Sequence, residues 1–235
     1  MNANKNLIET LPNFLCDDKA SIGPYILENL SKINKQYSKE KDFTRYKNEI
    51  QRCFHLLPVN NINKSCKFYL SGFIEGEGSI NVSIKKTSYG AFKLMIDPEF
   101  SITQHISGLS NLYLALCVFQ AGRIRYKSGS NATFIFSIDN RRTLEEKIVP
   151  FYQKYVNIYG SPSKKERLNT FKLILDSLSK KAHLNRNQMM YEILPLWDKM
   201  RMQTGQINQT FKDLKEAQDY VLKNSLHIKL PKNNS

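Results

Sequence analysis

The stretch Leu70-Ser71-Gly72-Phe73-Ile74-Glu75-Gly76-Glu77-Gly78 constrains this chain more than any other. It reads as an apolar helix end that places Gly72 and Gly76 at i, i+4, on one helical face. Without side chains there, a second helix can approach backbone to backbone. A lone soluble helix gains nothing from this, because each interior glycine costs about 0.5–1 kcal/mol relative to alanine. Something is therefore expected to pack against that face. Glu77 closes the helix where the dipole disfavours a carboxylate and the last carbonyls lack intrahelical partners. A carboxylate among free carbonyls at a close two-helix contact is a place where oxygen ligands hold a divalent cation.

The charge balance narrows the partner. Lys and Arg number 35 against 21 Asp and Glu, a net charge of +14, which points to a polyanion, either nucleic acid or a membrane surface. The bland alternative is a merely solubilising surface. No run of about 18 apolar residues is present, so no transmembrane span is expected, and nucleic acid rather than a membrane is the expected partner. The start, Met1-Asn2-Ala3-Asn4-Lys5, has neither an apolar signal core nor an Arg-rich presequence, so the protein is expected to stay where it is made. Cys16, Cys53, Cys66 and Cys117 are scattered, with no Cys-x-x-Cys pair to suggest a disulfide scaffold or zinc ribbon. The four histidines are equally dispersed.

Along the chain, residues 1–66 read as a helical N-terminal extension. Pro24 starts one helix, and a second amphipathic segment spans 43–57. Lys32, Lys35, Lys39 and Lys41 either touch phosphates or form a solvated face. After the glycine-bearing helix, 79–85 alternates polar and apolar residues, the period of a half-buried strand. A second alternating run covers 92–104, and Pro98 inside it implies an edge position or a bulge. Residues 109–119 are apolar at helical spacing and are stopped by Ala121-Gly122. Two more strands, 123–127 and 133–138, are joined by a Ser128–Asn131 turn. Helical patterns follow at 143–159, 163–179, 187–202 and 211–224, and the tail is polar.

The order from Lys67 predicts an α+β fold, an antiparallel sheet with helices on one face. The alternation leaves Asn81, Ser83, Lys85, Lys93, Asp97, Glu99, Ser101, Arg123, Arg125, Lys127 and Thr133 on the uncovered face, with Lys86 and Asn131 beside them. Between Gly78 and Ile138 the acids are Asp97 and Glu99 alone, against six Lys and Arg. A twisted, basic strand pair fits the major groove of double-stranded DNA, where Arg and Lys read guanine and Asn reads adenine. For any one of these residues the competing reading is an ordinary solvated strand position.

The nonapeptide resembles the signature of the LAGLIDADG homing endonucleases, with Ser71 at the second-position Ala, Phe73 at the fourth-position Leu and both acids as Glu. The resemblance extends from about Lys67 to Met202 and includes Ile102-Thr103-Gln104-His105 and Gly122-Arg123-Ile124-Arg125. It is nearest to single-motif enzymes of organellar ribosomal-RNA introns, above all the chloroplast large-subunit type of green algae. It implies an αββαββα core at 67–205, between the extension and a C-terminal helix and polar tail at 206–235. No second copy of the motif occurs, so the resemblance implies a homodimer that cuts a nearly palindromic duplex, with Leu70, Gly72, Phe73 and Gly76 at the interface.

The same resemblance assigns chemistry. Glu77, with the carbonyl of Gly76, ligates metal beside the scissile phosphates, and Glu75 is a capping or ion-pair group. Two crossed Glu77 carboxylates repel unless cations intervene, which implies Mg²⁺, with Mn²⁺ as a substitute. Gln104 is expected to position water, Lys164 or Lys165 to stand near the phosphate, and His105 to be a packed or hydrogen-bonded residue. The chloroplast is the expected compartment, with a mitochondrion or bacterial cytoplasm as alternatives. The rival reading is an intron RNA maturase of the same fold, for which intron RNA is the partner; a catalytically silent regulator is the other.

Overall fold

The computed structural model describes residues 15–16, 21–37, 42–201 and 210–225. Lys39, Lys41, Gly205 and the polar tail lie outside the described residues, as does the start of the extension. The elements run β1 (Leu15–Cys16), β2 (Ser21–Ile22), α1 (Pro24–Gln36), α2 (Phe43–Cys53), α3 (Lys64–Glu77), β3 (Gly78–Lys86), β4 (Leu94–His105), α4 (Leu109–Phe119), β5 (Arg123–Tyr126) and β6 (Thr133–Ile138). A helical run then joins Arg141–Thr143, Leu144–Ile148, Val149–Phe151 and Tyr152–Val156 (α5), and α6 is Pro162–Ser179. Next come Arg186–Gln188, Met189–Ile193 and Leu194–Arg201 (together α7) and Leu214–Ser225 (α8). The hydrogen-bonded strand order is β3-β4-β6-β5, so the α+β class and the expected order of core elements stand.

The chain divides into two compact units, Met1–Ser79 with Ser101–Ile138, and Ile80–Phe100 with Asp139–Ser235. In the first, β5 and β6 form a hairpin in the register Arg123↔Ser137, Ile124↔Phe136, Arg125↔Ile135. The even-numbered residues Ile124, Phe134, Phe136 and Ile102 are buried, as are Leu70, Ile74, Leu112 and Leu116 of the helices, and they make that unit's core. Gly122, at φ +90, would place any Cβ 2.7 Å from the Ser137 carbonyl, so glycine is required where α4 turns into β5. In the second unit the same alternation buries Ile80, Val82 and Ile84 of β3 together with Leu144, Ile148, Leu168, Phe171, Leu175 and Trp197.

Both edge strands are covered by side chains. On β5, Asn34 Nδ2 donates to the Ile124 carbonyl at 2.9 Å, and the Ile124 N–H donates to the Tyr46 hydroxyl at 2.8 Å. Helices α1 and α2 of the extension thus occupy the hydrogen-bonding edge that would otherwise be open to another chain. On β3, Arg167 Nε donates to the Ile80 carbonyl at 2.6 Å and Thr210 Oγ1 to the Ile84 carbonyl at 2.6 Å.

The structure revises some local expectations. Pro98 lies on β4, which is flanked by β3 and β6 in the strand order. The Ile106 N–H to Ala132 carbonyl bond, 2.8 Å, sets an antiparallel register that ends β6 opposite Phe100, so Pro98 keeps the local edge position its sequence implied and its missing N–H interrupts no ladder. The helix expected over 43–57 stops at Cys53, and that over 211–224 starts at Leu214. In the latter, Asp213 caps the start by accepting the Glu216 N–H, and the Glu216 carboxylate reaches back to accept the Lys212 N–H. Two expected plain helices contain π turns, Leu144–Ile148 before Pro150 and Met189–Ile193 before Pro195. A proline ring clashes with the carbonyl four residues back, and the wider turn gives it room.

Candidate active site and nucleic-acid interface

Helix α3 begins at Asn63, whose side chain accepts the Cys66 N–H at 2.9 Å. Its inward face is Leu70, Ser71 and Ile74. Its outward face is Phe68, Tyr69, Gly72 and Gly76, with Phe73 half-buried at the margin. Among the described residues, a Cβ built on Gly72 or Gly76 meets nothing within 4 Å, whereas one on Gly78 would lie 2.7 Å from the Ile74 carbonyl and from its side chain. Packing within the chain accounts for Gly78 and leaves Gly72 and Gly76 without an internal reason. Leu70, expected at the interface, is 0% exposed and belongs to the core of its own unit, one helical face away. Tyr69, which the sequence reading passed over, is 57% exposed on the glycine face, its hydroxyl donating to Asn111 Oδ1 at 2.9 Å.

Glu77 is the last residue of α3 and is exposed, as is Gly76. The Gly78 N–H closes on the Ile74 carbonyl, and the later carbonyls are those a helix end leaves without intrahelical donors. A carboxylate and a main-chain carbonyl are hard oxygen donors of the kind Mg²⁺ takes, so the residues present fit a divalent ion. Among the described residues of one chain no group of three or more His, Cys, Asp or Glu gathers as a ligand set. Glu75 is half-buried on α3.

Gln104 and His105 end β4. His105 Nδ1 accepts the Ser107 N–H at 3.3 Å and lies 3.0 Å from Ser107 Oγ, so the ring caps the following turn. Gln104 is half-buried beside Gly108.

In the second unit, Asn81, Ser83 and Lys85 lie on the outward face of β3 and Asp97 and Glu99 on that of β4. Lys85 and Asp97 form an ion pair. Lys86 falls on the other side: its ammonium sits 4.6 Å from the Phe211 ring centre and 5.2 Å from that of Tyr220, so it packs on α8 instead of the strand face. Lys93 lies in the turn before β4 at φ +52, its carbonyl accepting the Thr87 N–H. Arg167 Nη2 reaches Asn81 Oδ1 at 3.4 Å, a link no local pattern signals.

In the first unit Ser101 is half-buried, and Arg123, Arg125 and Lys127 stand exposed on β5 and its continuation. Arg123 donates to the Tyr37 carbonyl at 2.7 Å and stacks over the Tyr37 ring at 5.1 Å. Arg125 donates to Ser137 Oγ at 2.6 Å. Asn131 is exposed in the β5–β6 turn, and Thr133 Oγ1 donates to its carbonyl at 3.3 Å. Lys164 and Lys165 are half-buried in the first turn of α6, where Ser161 caps the Lys164 N–H at 3.4 Å.

The comparisons agree with this architecture. Residues 70–175 match the LAGLIDADG endonuclease family. The chain is 44% identical over 211 residues to the DNA endonuclease I-CeuI of Chlamydomonas moewusii, covering 90% of this chain and 96% of the relative. The solved structure of the group I intron-encoded homing endonuclease I-CeuI complexed with DNA matches with a TM-score of 0.82 at 45% identity, over 86% of this chain and 97% of that one. An archaeal intron-encoded homing endonuclease complexed with DNA matches with a TM-score of 0.61 at 29% identity, over 68% and 96%. With the motif on an outward helix face, the matching fold and kinship along nearly the whole of a relative, the chain belongs to the LAGLIDADG endonuclease family.

Proposed function

We propose that this chain is a site-specific, metal-dependent endodeoxyribonuclease that acts as a homodimer on a long, nearly palindromic site in a ribosomal RNA gene and so promotes intron mobility. The observation that carries the reading is the outward stripe of Gly72 and Gly76, open to 4 Å and ending on exposed Glu77. Crossing that stripe with its copy brings two Glu77 carboxylates together at a two-fold axis.

At such an axis Glu77 and the Gly76 carbonyl would hold Mg²⁺ or Mn²⁺, which supplies charge to stabilise the attacking and leaving oxygens. Gln104 orients the water that adds to phosphorus in line with the departing 3′ oxygen. Lys164, or Lys165 beside it, offsets the phosphate charge. Two lysines in a first helical turn oppose the dipole, a cost that an anion at that end would relieve. Asn81, Ser83, Lys85, Glu99, Ser101, Arg123, Arg125, Lys127, Asn131 and Thr133 face the duplex. The proposed source is an organellar intron, chloroplast before mitochondrion or bacterial cytoplasm, supported by the green-algal relative. An intron RNA maturase role is not favoured, since the kin are DNA endonucleases.

The test is incubation with Mg²⁺ and plasmids that carry intronless large-subunit ribosomal RNA gene segments. One double-strand cut is expected from the unaltered protein. Glu77→Gln is expected to bind the same duplex and leave it whole. Cutting that persists in Glu77→Gln would sink the metal role, and intron-RNA binding without any cutting would favour the maturase.

A further inference from the structure

We propose that Gly108 is the positioning residue for Gln104, an assignment that rests on the catalytic reading of Gln104 above. Gly108 has φ −99 and ψ 11, which any L-residue adopts, so the backbone alone gives no reason for glycine. The reason is space. A Cβ at Gly108 would lie 2.4 Å from Gln104 Oε1, closer than real Cβ contacts come, and 3.2 Å from its Cδ, a tight contact. The amide of Gln104 therefore rests in the room that the missing side chain leaves.

The turn that carries Gly108 is tied on both sides. Ile106 N–H donates to the Ala132 carbonyl at 2.8 Å, and His105 Nδ1 holds the Ser107 N–H at 3.3 Å. Gly108 itself leads into α4, whose first residue, Leu109, is buried. With the backbone held, an added methyl displaces the far end of the flexible Gln104 side chain and not the turn. Gly108→Ala is thus expected to keep the fold and to move one amide. His105 acts in the same device as the cap that keeps the turn in place, which gives it a use without proton transfer.

The experiment is a double-mutant cycle on a synthetic duplex of the mapped cut site, with single-turnover cleavage in Mg²⁺ and duplex affinity in Ca²⁺. Gly108→Ala is expected to slow cleavage by about a hundredfold, the loss that misplacement by an ångström produces, with affinity unchanged. In the Gln104→Ala background, adding Gly108→Ala is expected to cost nothing further, because the colliding amide is gone. If Gly108→Ala lowers the unfolding temperature, the same Gln104→Ala background is expected to restore it. Additive losses, or a Gly108→Ala protein that cuts normally beside a slow Gln104→Ala, overturn the proposal alone. A Gln104→Ala protein that cuts at full rate overturns the role of Gln104 and the proposal with it.

Discussion

At the residue scale the three glycines of the nonapeptide separate into two kinds. Gly78 is held by its own chain, with Ile74 2.7 Å from any Cβ, and its requirement is internal. Gly72 and Gly76 face open space, so side chains there cost the single chain nothing in clash. Gly72→Leu is therefore expected to leave the fold of one copy intact while it overpacks the crossing, at about 1–3 kcal/mol, or roughly five- to 150-fold in dimer affinity. Sedimentation would then show monomer where the unaltered protein is dimeric, and cleavage would fall in step. A dimer of unchanged affinity would mean that the seam lies elsewhere. The spacing of the two glycines was readable from local sequence, because i, i+4 is a property of any helix. That Leu70 turns inward was not, since both faces of this helix carry apolar residues and the choice between them is made by what packs beneath.

At the element scale, the β-hairpins were legible because alternation has a period of two and both hairpins keep it. Edge protection was not, because it joins residues far apart in the chain: Asn34 and Tyr46 to Ile124, Arg167 to Ile80, Thr210 to Ile84. Burial pushes the Tyr46 phenol well above its ordinary range, so it stays neutral, accepting from Ile124 and donating to Asn34 Oδ1 at 3.2 Å. Its ring also stacks on Tyr37 at 4.2 Å. Tyr46→Phe keeps the stack and removes the hydroxyl, which strands a buried N–H on the edge strand. A loss of about 1–3 kcal/mol in urea unfolding is expected, with the slope unchanged. Stability within a few tenths of the unaltered protein would show that the extension does not hold this edge. The π turns escaped local reading too: proline signals a kink, but the packing around it decides whether the helix ends or widens.

At the scale of the whole molecule, the net charge of +14 predicts duplex binding that weakens steeply with salt. A plot of log affinity against log salt is expected to fall by about 0.9 for each phosphate neutralised, and Lys127→Ala to reduce that slope by about 1 if the exposed ammonium meets a phosphate. An unchanged slope would remove Lys127 from the interface. What the sequence by itself determined was the motif, the α+β order and the excess of basic over acidic residues along the strands, all of them set by local periodicity and composition. Only the tertiary structure decided which of those charges are already engaged: Arg123 by Tyr37, Arg125 by Ser137, Lys85 by Asp97, Lys86 by Phe211 and Tyr220. It likewise decided that Gly108 makes room for Gln104 and that Gly72 and Gly76 face outward. The physical reason is the same throughout. Periodicity says which face a residue occupies, but the partner on that face comes from another part of the chain, and only folding brings the two within reach.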